Sequence, residues 1–228
     1  MIFHREYLSF DCAQKSLGVC RMVIHADTDV MMKKYNDLSK SLNDGTDDNL
    51  NKCAVELMDY LNSIITVLEI ATYDLLPGVN AKDASTEYKT IALKKFLQKY
   101  GDHADHHLRV LIEEQPQKIG GPKFTKVNTE SPMVAHQLCY HFAPNAKMVK
   151  SSLKSQISFA PELSIDVFMA AYAAKYKNAT ECKRKARKEH TKANLKWFMS
   201  RFAPHIKLQE TNLDDSADAL MQIFTEGL

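Results

Sequence analysis

Apolar positions near the start of the chain fall in short, branched runs. Tyr7–Phe10 and Leu17–Ile24 lie either side of the polar turn Cys12–Ser16, the pattern of an N-terminal β-hairpin. The period then changes. Val30, Met31, Tyr35, Leu38 and Leu42 recur at helical spacing, NDGTDDN interrupts them as a loop, and Leu50–Leu61 resumes the pattern, so residues 27–62 read as a helical insertion. Ile64–Leu76 is strand-like as far as Pro77-Gly78. Glu87–Tyr100 follows as an amphipathic helix through Ile91, Leu93, Phe96 and Leu97. Val110–Ile112 is a short strand, and the Pro and Gly content of QPQKIGGPKF marks a loop after it. Pro132–Phe142 reads as a helix with Ser131 as its N-cap, Ala146–Val149 as the last strand, Lys183–Arg201 as a basic helix and Thr211–Phe224 as the closing helix. Strands first, then strands alternating with helices, predict an α/β (α+β) layer structure: a mixed central sheet flanked by helices.

With 228 residues and 45% hydrophobic content, the chain has the size of one globular domain spanning 1–228, insertion included. Its apolar stretches, such as Ile64–Leu68, fall far short of the ~18 residues that span a bilayer. MIFHREYLSFD carries charge where a signal peptide needs an apolar core, so an intracellular protein with no membrane partner is expected. The five cysteines are odd in number and lack a C-x-x-C spacing, which points to reduced, buried thiols rather than a disulfide framework or zinc finger.

Charge changes the picture more. The net +2 conceals 17 Lys and Arg against 5 acids between Gln115 and Lys207, and 13 against 23 elsewhere. A basic half beside a set of acids is the pattern of an enzyme that attracts a polyanion and needs metal ions at the scissile group.

Four acids stand out: Asp11 after the first apolar run, Glu113 after Val110–Ile112, and Asp215 with Asp218 in NLDDSADAL. Strand ends that carry carboxylates are natural metal platforms. The i, i+3 spacing of Asp215 and Asp218 puts both on one face of a helix whose apolar side is Leu213, Ala217, Leu220, Met221 and Phe224. Phosphodiester hydrolysis needs an activated water and stabilisation of charge on the attacked phosphate and the leaving oxygen, and two divalent ions about 4 Å apart supply both. Mg²⁺ prefers hard oxygen ligands, so a carboxylate cluster suits it, whereas zinc calls for His and Cys. Taken singly, each of these acids also fits a surface or capping role, Asp214 above all, since acids favour a helix start without any catalytic part. His103, His106 and His107, and His136 with Cys139 and His141, have metal-ligand residue types but no zinc spacing.

At the four acids the sequence resembles the RuvC-like Holliday-junction resolvases, most closely the branch of poxviruses and other large DNA viruses. SFDCAQKSLGVC is similar to that family's first-strand motif, VLIEEQPQ to its second, and LDDSADAL to its last, an acid pair spaced by three on a helix. KRKARKEHTKANLKWF resembles the basic helix that precedes the last motif in poxvirus resolvases. About 60 residues carry the likeness, and the 27–62 insertion has no counterpart in it.

The resemblance implies an RNase H-like fold, a homodimer, and paired, symmetric incision of four-way DNA junctions dependent on Mg²⁺, with Mn²⁺ able to substitute. Matched residue by residue, the catalytic metal ligands are Asp11, Glu113, Asp215 and Asp218, with Glu114 and Asp214 as second choices. A viral source would place the protein at the site of viral DNA replication in the host cell.

Lys15 in the first turn, Lys118, Lys123 and Lys126 after the second acid, and Lys183, Arg184, Lys185, Arg187 and Lys188 in the basic helix are the candidate DNA contacts. The apolar stripe Met133, Val134, Leu138 and Phe142 reads equally as a dimer interface or as packing on the sheet. Trp197 is read as core rather than as a base-stacking platform. Two alternatives stay open: a related nuclease acting on flaps or RNA–DNA hybrids, and a non-catalytic DNA-binding protein on the same fold.

Overall fold

The computed structural model describes residues 2–13, 15–27, 29–30, 33–34, 36–37, 40, 56, 59–100, 107–115, 118–121, 124–127, 129–150, 157–176, 178–208 and 213–226. Strands β1 (Ile2–Cys12) and β2 (Ser16–Asp27) form the expected hairpin in antiparallel register, from Ile2↔Asp27 to Cys12↔Leu17. Strand β3 (Ile65–Asp74) lies antiparallel on the far side of β2. Strands β4 (Leu108–Glu114) and β7 (Ala146–Lys150) then extend the other edge, β4 parallel to β1 and β7 parallel to β4. The result is a five-stranded mixed sheet in the order β3-β2-β1-β4-β7.

Helix α1 (Thr86–Leu97) bridges β3 and β4, and α2 (Glu130–Phe142) bridges β4 and β7. Both cover one face of the sheet, over Leu8, Phe10, Leu17, Val19, Val110 and Ile112. Helices α4 (Ala179–Phe202) and α5 (Leu213–Glu226) cover the other, over Tyr7, Cys20, Met22, Ile24, Leu111 and Val149. Helix α3 (Ile165–Ala173) lies against α4. Tyr7 to Phe10 are all buried because β1 is central and covered on both faces, which explains an apolar run without polar alternation.

The structure corrects several expectations. QPQKIGGPKF is not simply a loop: β5 (Lys118–Gly121) and β6 (Phe124–Val127) pair there as a separate antiparallel hairpin. Helix α2 starts at Glu130 after Thr129, so Ser131 is a buried first-turn residue and not the N-cap. The α2 stripe is core, with Val134, Leu138 and Phe142 at most 3% exposed, so packing on the sheet, not a dimer interface, accounts for it. Trp197 packs at the core's margin, stacked on Phe159 with the Arg201 guanidinium 4.1 Å from its ring centre. The insertion lies largely outside the described residues; among those described, 29–30, 33–34, 36–37, 40, 56 and 59–64 are helical. No helix among the described residues is long and apolar enough to cross a membrane. Cys12, Cys20 and Cys182 are buried, and burial pushes the Cys20 thiol pKa well up.

Candidate active site

Asp11 and Glu113 each stand one residue past Phe10↔Ile112, the last registered pair of the parallel strands β1 and β4. Parallel register puts them at the same end of neighbouring strands, about 4.8 Å apart in backbone, and on the same face. That face is the one covered by α4 and α5, because Tyr7, four residues before Asp11, and Leu111, two residues before Glu113, belong to its core. Glu113 is buried to 7% exposure, and the Gln115 amide donates to its Oε2 at 3.0 Å. Glu114, the next residue, is exposed and points to the other side.

Helix α5 brings the second pair of acids. Its first turn presses on β2 at Gly18, the cross-strand partner of Asp11: a Cβ on Gly18 would sit 2.1 Å from the Asp215 carbonyl oxygen. Seven residues on, Gln222 accepts a hydrogen bond from Ser9 Oγ at 2.9 Å, both side chains buried. Ser9 shares the face of Asp11, and Asp215, Asp218 and Gln222 share one face of the helix, so α5 is fixed along β1 with its acids toward the strand ends.

Burial raises the Asp215 pKa, the Ser16 hydroxyl opposes this by hydrogen bonding the carboxylate, and the charges of Asp214 and Asp218 raise it further. Asp214 is also partly buried, but its ion pair with Lys188 outweighs that cost and holds its pKa below the usual value. Asp214 is therefore turned toward α4. Asp218 acts on His190, which is fully buried on α4 with Nε2 3.0 Å from Ser158 Oγ and, among the described residues, no geometric hydrogen-bond partner at Nδ1. Burial lowers the His190 pKa, while the Ile157 backbone and the Asp218 charge act the other way.

The strands and α5 thus direct all four acids to one end of one sheet face. As placed, no three His, Cys, Asp or Glu side chains among the described residues converge closely enough to share one ion. The donor set nevertheless fits Mg²⁺, being all carboxylate. The upward push on Asp215 from neighbouring acids is a like-charge crowding that a divalent cation relieves.

The basic candidates divide. Lys183, Arg184, Arg187 and Lys188 are exposed on α4 and Lys185 is half-buried. Lys188 is paired with Asp214. Lys15 is tied down, 3.2 Å from the Val79 carbonyl and 3.4 Å from Asp74, and so braces the first turn against the end of β3. Lys118 and Lys126 sit on the β5–β6 hairpin, whereas Lys123 lies outside the described residues. Of the histidines, His107 is exposed beside His4, and His136 and His141 are exposed on α2. His103 and His106 lie outside the described residues.

Sequence reasoning missed Gly18, Ser16, Gln222 and His190. A lone glycine inside a strand is a signal of close backbone approach, and Cys182, Ala186 and His190 recur every four residues as the inward stripe of the basic helix. Nothing in the sequence marks Ser16 or Gln222. The chain matches no protein-family model, no curated protein and no solved structure.

Proposed function

We propose that this protein is a metal-dependent endonuclease of RNase H-like fold that resolves four-way DNA junctions as a homodimer. The observation that carries the reading is the delivery of four carboxylates, from β1, β4 and the first turns of α5, to one end of one sheet face. The strand order supports the fold assignment: three antiparallel strands in sequence, then two strands added parallel to the first on its other side.

Asp11, Glu113, Asp215 and Asp218 would hold Mg²⁺, or Mn²⁺ in its place. Bound there, the metal would supply positive charge to the attacked phosphate and a water of lowered pKa. The chain's own residues prepare the site. Gln115 orients Glu113, Ser16 orients Asp215, and the contact of Gly18 with α5 sets how far the helix acids stand from the strand acids. Exposed Lys183, Arg184 and Arg187 on α4 offset the repulsion between the acids and DNA phosphates.

The decisive experiment compares a four-way junction, a flap, an RNA–DNA hybrid and a linear duplex, each with Mg²⁺ and with excess chelator. Symmetric paired nicks in the junction, lost in chelator, are expected. Preferential cutting of the flap or hybrid would favour the related nucleases, and metal-independent binding with no cutting of any substrate would favour a non-catalytic DNA-binding protein. On a cruciform plasmid, a homodimer yields linear product directly, whereas a monomer accumulates nicked circles first.

A further inference from the structure

We propose that His4 and His25 form a two-imidazole binding site for a nitrogen-preferring divalent transition-metal ion, Cu²⁺ or Ni²⁺ by its geometry, separate from the carboxylate cluster and independent of the function proposed above. The two residues are direct partners across the β1–β2 hairpin, and both are exposed. His4 shares the sheet face of Leu8 and Phe10, opposite to the face of Asp11. It also stands seven residues before Asp11, about 23 Å away along the strand. An ion at one site is therefore out of reach of the other.

The geometry of the pair points to an ion. Nδ1 of His4 lies 2.9 Å from Nδ1 of His25, and the ring centres are 4.5 Å apart with the planes inclined at 56°. A head-on hydrogen bond of that length would set the centres about 5.2 Å apart, since an imidazole nitrogen stands about 1.15 Å from its own ring centre. The rings are thus bent toward each other. Two imidazole nitrogens held about 2.05 Å from one ion at a right angle lie about 2.9 Å apart, with ring centres about 4.5 Å apart. The pair has both separations. A tetrahedral angle would instead require about 3.3 Å between the nitrogens, so the spacing fits the right-angled bonds of Cu²⁺ or Ni²⁺ better than Zn²⁺. Mg²⁺ prefers oxygen ligands and is not a competitor.

Without a metal, one ring proton bridges the two nitrogens. On binding, that proton moves through solvent to Nε2 of the same ring, which leaves two neutral imidazoles with both Nδ1 lone pairs on the ion. The strands already hold the nitrogens at the required distance, so little ordering is left to chelation. His107 has its ring centre 6.2 Å from that of His4, and among the described residues no three such side chains converge on one ion, so water completes the shell on this exposed edge. The ion would tie β1 to β2 at the open end of the hairpin, just before Asp27 ends β2, and binding to the folded form alone would stabilise it.

The test titrates the full chain with Cu²⁺ at pH 7 in excess Mg²⁺. Calorimetry should show one tight equivalent in wild type, weakened ten-fold or more by His4→Gln and by His25→Gln, because each removes the intramolecular second ligation. Pulsed EPR of the Cu²⁺-loaded wild type should show two coupled imidazoles, and no more than one in either variant. Cu²⁺ should raise the Tm of wild type more than that of the variants. A wild-type affinity no tighter than that of the double variant, or a spectrum with a single imidazole, would overturn the site. Weakening by His4→Gln without weakening by His25→Gln would place the ion on His4 with a different partner and overturn the paired chelate. None of these readouts involves DNA, so the fate of the nuclease reading does not bear on them.

Discussion

Gly18→Ala tests whether the contact between α5 and β2 sets the site. An alanine Cβ at position 18 would lie 2.1 Å from the Asp215 carbonyl oxygen, 2.3 Å from its carbon and 2.9 Å from the Ser216 nitrogen. All three are backbone atoms, so no side chain can swing away. Restoring an ordinary contact of 3.4 Å requires α5 to retreat by about 1.3 Å from the strand on which Asp11 finds its partner. Overpacking of this kind costs about 1–3 kcal/mol. In a domain of this size that lowers Tm by roughly 2–12 °C. The same retreat carries Asp215 and Asp218 away from Asp11 and Glu113, and a misplacement of about 1 Å costs on the order of 10²-fold in rate. Differential scanning fluorimetry reads the first effect. Single-turnover junction cleavage, at a temperature well below both transitions, reads the second. A variant that melts within a degree of wild type would refute the close approach. A destabilised variant with undiminished cleavage would refute the claim that this contact sets the spacing of the acids.

Asp11→Asn, Glu113→Gln, Asp215→Asn and Asp218→Asn should each abolish Mg²⁺-dependent cleavage and leave junction binding in Ca²⁺ intact; near wild-type cutting by any two would remove the site assignment. In metal-free protein, Asp215→Asn should raise Tm at pH 7, because burial and the neighbouring acids raise the Asp215 pKa and folding therefore disfavours the ionised carboxylate. The raised folded-state pKa makes stability fall as pH climbs from the ordinary carboxylate value through the folded one, so the advantage of Asp215→Asn should vanish on lowering the pH below that window, as pH-dependent melts would show. Neutralising Lys183, Arg184 and Arg187 should reduce the slope of log affinity against log salt by about three, whereas adding Lys188→Gln should change it little, since that ammonium is already paired with Asp214. Phe142→Ala should cost about 3–5 kcal/mol in thermal or urea melts without altering the sedimentation of the folded protein, because the ring is buried against Phe10 at 5.6 Å between centres.

Local pattern decided a good deal. The hairpin, β3, α1, β4, β7 and the two C-terminal helices were legible because branched runs, turn residues and helical spacing act within a few residues, and the acids at the strand ends and on α5 were legible from where those runs stop. The β5–β6 hairpin was not, since its glycines and prolines read as loop and only pairing made them strands. The α2 stripe could not be assigned to interface or core until the sheet stood beneath it. Tertiary structure alone decided which carboxylates share a face: Asp11 and Glu113 are about a hundred residues apart, and only the parallel register of β1 with β4 sets them on the same one. It likewise turned Asp214 toward Lys188 and Lys15 toward Asp74, and made Gly18 the seat of α5. Sequence encodes each element through short-range propensity, but register, face and approach distance arise from packing between segments far apart in the chain, and the placement of the four acids depends on those.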